Sequence, residues 1–198
     1  MEFYGKWAEK SGKRFDEGDS ALTETEIDRI KSKLIIEGEK KLEVLVKDED
    51  SKTGSLRFSL LIKLGTAALE LNDAKKARVF AEALLRDYTK VEPDAGDNEA
   101  IFYGNNLMGR VFLREGDVNK AKEHLEKSLK LYIGDDWEIS EPELDLAGEL
   151  LLKGERQAVL DYLEKSQNFT TNQNVRQIYR NWQRRLKRNL MPFEITEF

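Results

Sequence analysis

Side chains with the chemistry to act as ligands or catalysts are scarce in this chain. His124 is the only histidine and there is no cysteine, so a histidine-based triad, a thiol nucleophile, a disulfide and the usual zinc ligand sets cannot be assembled. His124 falls in a helical pattern beside Glu123 and Glu126 and reads as an ordinary surface or edge residue. Gly104, Gly109 and Gly116 are too far apart, and on the wrong elements, for a loop that wraps phosphate. The run DDWEISEPELDLAGE supplies seven carboxylates from Asp135 to Glu149 without one lysine or arginine. Such a run attracts divalent cations, but it lacks the EF-hand spacing and its glycine. It reads instead as a solvated linker and a helix N-terminus, where negative charge is favourable. The expectation is a non-enzymatic protein with no catalytic residue, no metal and no cofactor.

Positive charge collects elsewhere. Arg176, Arg180, Arg184, Arg185, Lys187 and Arg188 place six cations between residues 172 and 192 with no acid among them, so the formal net charge of −5 divides into +6 in that segment and −11 outside it. With Tyr179 and Trp182 close by, such a surface could touch RNA, an anionic membrane or an acidic protein. The structural reading is that the stripe Val175, Ile178, Tyr179, Trp182, Leu186 and Leu190 closes a helical stack. The cations would then complement the acidic run, within the chain or across a homodimer. The negative overall charge and the need to close the core favour that second reading. A nucleic-acid-associated or regulatory protein is kept as the alternative function.

The elements that would position these groups are helical. A chain of 198 residues can bury a continuous core, and 36% charged residues with only three prolines suit long solvated helices better than strands. The start of the chain has no apolar run of signal-peptide length, and no window approaches the roughly 18 apolar residues of a membrane span; the expected location is the cytoplasm. Residues 1–22, with Phe3, Tyr4, Trp7 and Phe15, read as an irregular arm whose aromatics dock on the body. Thr23 and Glu26 form a capping box, and a helix follows over about 24–47, bent at Gly38. A single domain over 23–192 is expected, with hairpins at about 56–88, 98–132 and 141–167, the last opening on a Ser140–Glu143 capping box. A capping helix at about 172–190 and a tail at 193–198 complete the chain.

Sliding the chain against itself by 44 residues aligns the first two hairpins. Leu64-Gly65 falls on Met108-Gly109, Ala68 on Phe112, Asn72-Asp73 on Gly116-Asp117, and Ala77 on Ala121. Gly65 and Gly109 would let a neighbouring helix approach, with Ala77 and Ala121 keeping the facing side thin. Gly116 can close a helix in the left-handed conformation, with Asp117 as the next N-cap, and Asn72-Asp73 can do the same. A third, looser copy sets Gly154 on Gly116, with Ala147 and Val159 at the small positions.

These residues resemble the tetratricopeptide repeat family, whose unit is a two-helix hairpin with Leu-Gly in its first helix, an aromatic three residues later, a turn glycine, and an alanine early in the second helix. Met108, Gly109, Phe112, Gly116 and Ala121 fill those roles in the second unit; Leu64, Gly65, Ala68, Asn72 and Ala77 fill them in the first. The resemblance covers residues 56–167. It departs from the family in its period, which is about 34 there, in the missing aromatic at Ala68, and in Thr89 and Ile133 standing where a proline closes the family's unit. It implies an all-α fold of antiparallel hairpins stacked as a short α-solenoid, with an N-terminal helix and a C-terminal capping helix. It also implies a protein–protein scaffold or adaptor whose concave groove is lined by Ser59, Ile62, Lys63 and Thr66, then Tyr103, Asn106, Leu107 and Arg110. Lys63 and Arg110 would favour an acidic peptide. The family's carboxylate clamp is not reproduced, so chaperone tails are not implied.

Overall fold

The computed structural model describes residues 23–47, 54–87, 95–130 and 144–190. The arm at 1–22, the Ser140–Glu143 box and the tail at 193–198 lie outside them. The described residues hold eight α-helices, one short 3-10 turn at Gln167–Phe169 and no strand. In chain order the helices are α1 (Glu24–Lys47), α2 (Gly54–Glu70), α3 (Ala74–Asp87), α4 (Ala95–Arg114), α5 (Val118–Lys127), α6 (Asp145–Leu152), α7 (Arg156–Ser166) and α8 (Gln173–Lys187). None is long and apolar enough to cross a membrane.

Residues 1–30 and 31–198 form two compact units. In the first, the capping box is made as the sequence predicts: the Thr23 N–H donates to Glu26 Oε2 at 2.8 Å, and the Glu26 N–H donates to Thr23 Oγ1 at 3.4 Å.

In the second, three hairpins turn with the same hydrogen bonds. Asn72, Gly116 and Gly154 adopt φ of 57°, 83° and 84°. The next residue's N–H in each case reaches back five positions, Asp73 to Ala68 O, Asp117 to Phe112 O and Glu155 to Leu150 O, at 2.8, 2.9 and 3.0 Å. A left-handed residue in this position satisfies the last carbonyls of a helix. Asp73 and Asp117 then cap the second helices, accepting from the Lys76 and Lys120 N–H at 3.0 Å each.

The core runs in two clusters that meet at α4. Leu61, Leu64, Ala77, Leu84 and Leu107 belong to one; Phe102, Leu125, Leu146, Leu163, Tyr179 and Leu186 belong to the other. Because α4 gives apolar residues to both, it is buried on most of its circumference. It also begins three residues before the start read from the sequence at about 98: Ala95-Gly96-Asp97 are helical.

The packing glycines need correcting. Gly65, Gly109, Ala77 and Ala121 are all buried, as expected. The space above Gly65, however, is filled by the Leu107 side chain of α4, whose Cδ1 lies 2.7 Å from where a Cβ would stand. Above Gly109 sits Leu146 of α6, with the Ala121 carbonyl oxygen at 3.3 Å. The notches therefore receive a leucine from the first helix of the following hairpin, and only Gly109 also meets the backbone of its own hairpin partner among its nearest atoms. Gly38 repeats the device, facing Leu64 of α2; α1 runs through it as one continuous helix.

Candidate partner-binding site

On α2, Ser59, Ile62 and Thr66 are half-buried and Lys63 is exposed. On α4, Tyr103 is half-buried, its ring edge-on to Phe102. Asn106 and Arg110, at 3% and 5% exposure, are interior residues. Their predicted place on an open groove wall is corrected by the bonds they make. The Asn106 side-chain amide donates to Phe102 O at 2.8 Å, and its Oδ1 is buried without a partner among the described residues. Arg110 donates from Nε to Glu149 Oε1 at 2.9 Å and from Nη1 to Asp145 Oδ2 at 2.7 Å. Arg114 adds two bonds to Glu149, at 2.6 and 3.0 Å.

This ladder has a simple origin. Positions 110 and 114 are one turn apart on α4, as are 145 and 149 on α6, so each pair lies on one face of its helix. The acidic run is thus not wholly solvated: Glu149 is buried. The i,i+4 spacing of two cations and of two acids was the signal for this ladder. The paired positions lie 35–39 residues apart, so neither segment identifies the other.

Phe112 anchors a second cluster. The ring of His124 stacks on it at 5.2 Å, and Arg78 and Lys120 lie over it at 4.8 and 5.1 Å. Arg78 is held in turn by Glu115 at 2.6 Å. The amide group of Asn105 donates to Ile101 O, so its Oδ1 is an acceptor, and the His124 Nδ1–H donates to it across 2.9 Å. Burial above all, and then the charges of Lys127 and Arg78, push His124 down to about 4. The unfolded chain, with a histidine near its ordinary 6.5, takes up a proton between those values that the folded chain declines. This part of the stability is complete above pH 6.5 and is lost as pH falls toward 4. The ring is partly exposed, so solvent screening reduces the loss to on the order of 1–2 kcal/mol. Urea unfolding at pH 7 and pH 4.5 should show His124→Gln losing less stability than the parent by that amount; equal losses would exclude this role.

The basic helix α8 buries Val175, Tyr179 and Leu186, with Trp182 edge-on to Tyr179 at 6.1 Å. Arg176 is half-buried and donates to Thr170 O at 2.6 Å. Arg180 is exposed and donates to Gln167 Oε1 at 3.3 Å; Arg184, Arg185, Lys187 and Arg188 are exposed. Asp145 and Glu149 answer Arg110 and Arg114, and the acids from Asp135 to Glu143 lie outside the described residues.

No family model, curated protein or solved structure matches the chain. The functional reading therefore stands on the geometry and on the repeat.

Proposed function

We propose that the chain is a tetratricopeptide-like scaffold that binds a protein or peptide partner and is not an enzyme. The observation that carries the reading is the repeated joint: Leu107 seated against Gly65, and Leu146 against Gly109. It sets the first helices of successive hairpins side by side, in the order the resembled family uses to build its groove. The same three-fold turn chemistry supports it. With Asn106 and Arg110 inside, the residues offered to a partner are Ile62, Lys63 and Thr66 of α2 and Tyr103 of α4. A half-buried aromatic on one first helix, and on the other a half-buried aliphatic residue next in sequence to an exposed ammonium, suit a peptide with an apolar anchor and an acidic flank. The absence of cysteine fits a cytoplasmic setting.

Affinity capture on the immobilised chain tests this. The variant Lys63→Glu should hold its partner about tenfold less tightly, the effect of roughly 1.4 kcal/mol, while its thermal midpoint stays close to the parent's because that side chain is exposed. An unchanged set of interactors would place the contact elsewhere.

A further inference from the structure

On three other helices an outer-face cation has an acid one turn away: Lys33 with Glu37 on α1, Arg78 with Glu82 on α3, Lys127 with Glu123 on α5. Helix α8 contains no acid at all. Its outward residues are cations and neutral amides, and Gln177, Asn181, Arg184 and Arg188 follow one another at helical spacing on a single stripe, with Gln177 donating to Asn181 Oδ1 at 2.9 Å. Arg180, beside it, is held by an amide oxygen and so keeps its charge uncompensated by that contact. We propose that this face of α8 binds the phosphate backbone of a nucleic acid.

Three features choose that occupant. The large apolar side chains a protein interface would need at its centre are turned inward: Tyr179 is buried, and Trp182 is half-buried against it. Within α8 the same inward turn withdraws the aromatic and aliphatic residues that an amphipathic helix sinks into a lipid surface, and the exposed Leu190 lies past the helix end. What remains is a surface dominated by arginine, whose planar fork matches phosphate oxygens, flanked by amides whose N–H groups also serve phosphate and sugar. From Arg180 to Arg188 the helix rises about 12 Å, which spans about three phosphates of one strand at roughly 3.4 Å of axis each. The −11 charge of the remaining chain repels a polyanion, which confines contact to α8 and keeps affinity in the sequence-independent range.

The test is fluorescence anisotropy of a labelled duplex oligonucleotide with the full chain, titrated across salt. Binding should weaken about 40-fold between roughly 50 and 200 mM salt, as expected for about three neutralised phosphates. The variant Arg184→Gln/Arg188→Gln should bind more weakly and retain only about a fourfold salt effect. Arg184→Lys/Arg188→Lys should keep the parental slope, and Lys63→Gln should change nothing. Because these side chains are exposed, circular dichroism should show each variant folded as the parent. The proposal is overturned by absence of binding at low salt, or by a glutamine variant that binds like the parent. Tighter binding of a polyglutamate peptide or of phosphatidylserine vesicles than of the oligonucleotide would overturn it too.

Discussion

Gly109→Val is expected to destabilise the protein by about 3 kcal/mol, read as a lowered urea midpoint. Glycine within a helix is unfavourable by roughly 1 kcal/mol relative to alanine, so its presence in the middle of α4 is set by packing. Leu146, fully buried, fills the space a side chain would need, and the Ala121 carbonyl oxygen closes the other side at 3.3 Å. A Cβ at this position already overlaps a Leu146 methyl, so Gly109→Ala also forces the flexible end of that leucine to move, but it should cost less than valine, its gain in helix propensity offsetting part of the contact. A β-branched side chain has no such escape, and overpacking of this kind costs about 1–3 kcal/mol before the distortion of α6 is added. The partner identifies itself in a double-mutant cycle. Leu146→Ala alone should cost about 2–5 kcal/mol, but combined with Gly109→Val the losses should fall short of their sum by about 1–2 kcal/mol. Strict additivity would show that Leu146 does not sit over Gly109. Gly65 and Leu107 should behave alike.

The features legible in the sequence were those whose cause is local. Asn72, Gly116 and Gly154 take the left-handed conformation because their own backbones allow it, and Asp73, Asp117 and Thr23 cap helices with partners three residues away. Features with distant causes were misread. The composition of Ala95-Gly96-Asp97 favours a loop, yet these residues are the first turn of α4. Gly65 and Gly109 were recognised as notches, but what enters them comes from the next hairpin, 42 and 37 residues further on. The groove suffered most. A period places Lys63, Tyr103, Asn106 and Arg110 on first helices, but it says nothing about which of them the following hairpin covers. In the structure Lys63 stays outside, and Arg110 is taken up by α6.

That capture of Arg110 carries the second large effect. The side chains of Arg110 and Glu149 are 6% and 8% exposed, and charges so placed are tolerated only while paired. Glu149→Leu removes the acid that binds Arg110 and Arg114 together and takes from Arg110 its buried carboxylate partner. The expected loss is about 3–5 kcal/mol, most of it the cost of a buried guanidinium short of a partner. Arg110→Met/Glu149→Leu should recover most of that loss, because two apolar side chains of similar volume need no desolvation of charge. Urea unfolding of the two single variants and the double variant checks this; a Glu149→Leu protein as stable as the parent would mean that the ladder contributes nothing. The same reasoning governs experiments on binding. Arg110→Glu sets a carboxylate against Glu149 and Asp145 in the interior, so lost partner binding in that variant reports a broken joint between α4 and α6. Lys63→Glu changes an exposed charge and leaves that joint intact, which is why the groove has to be probed there.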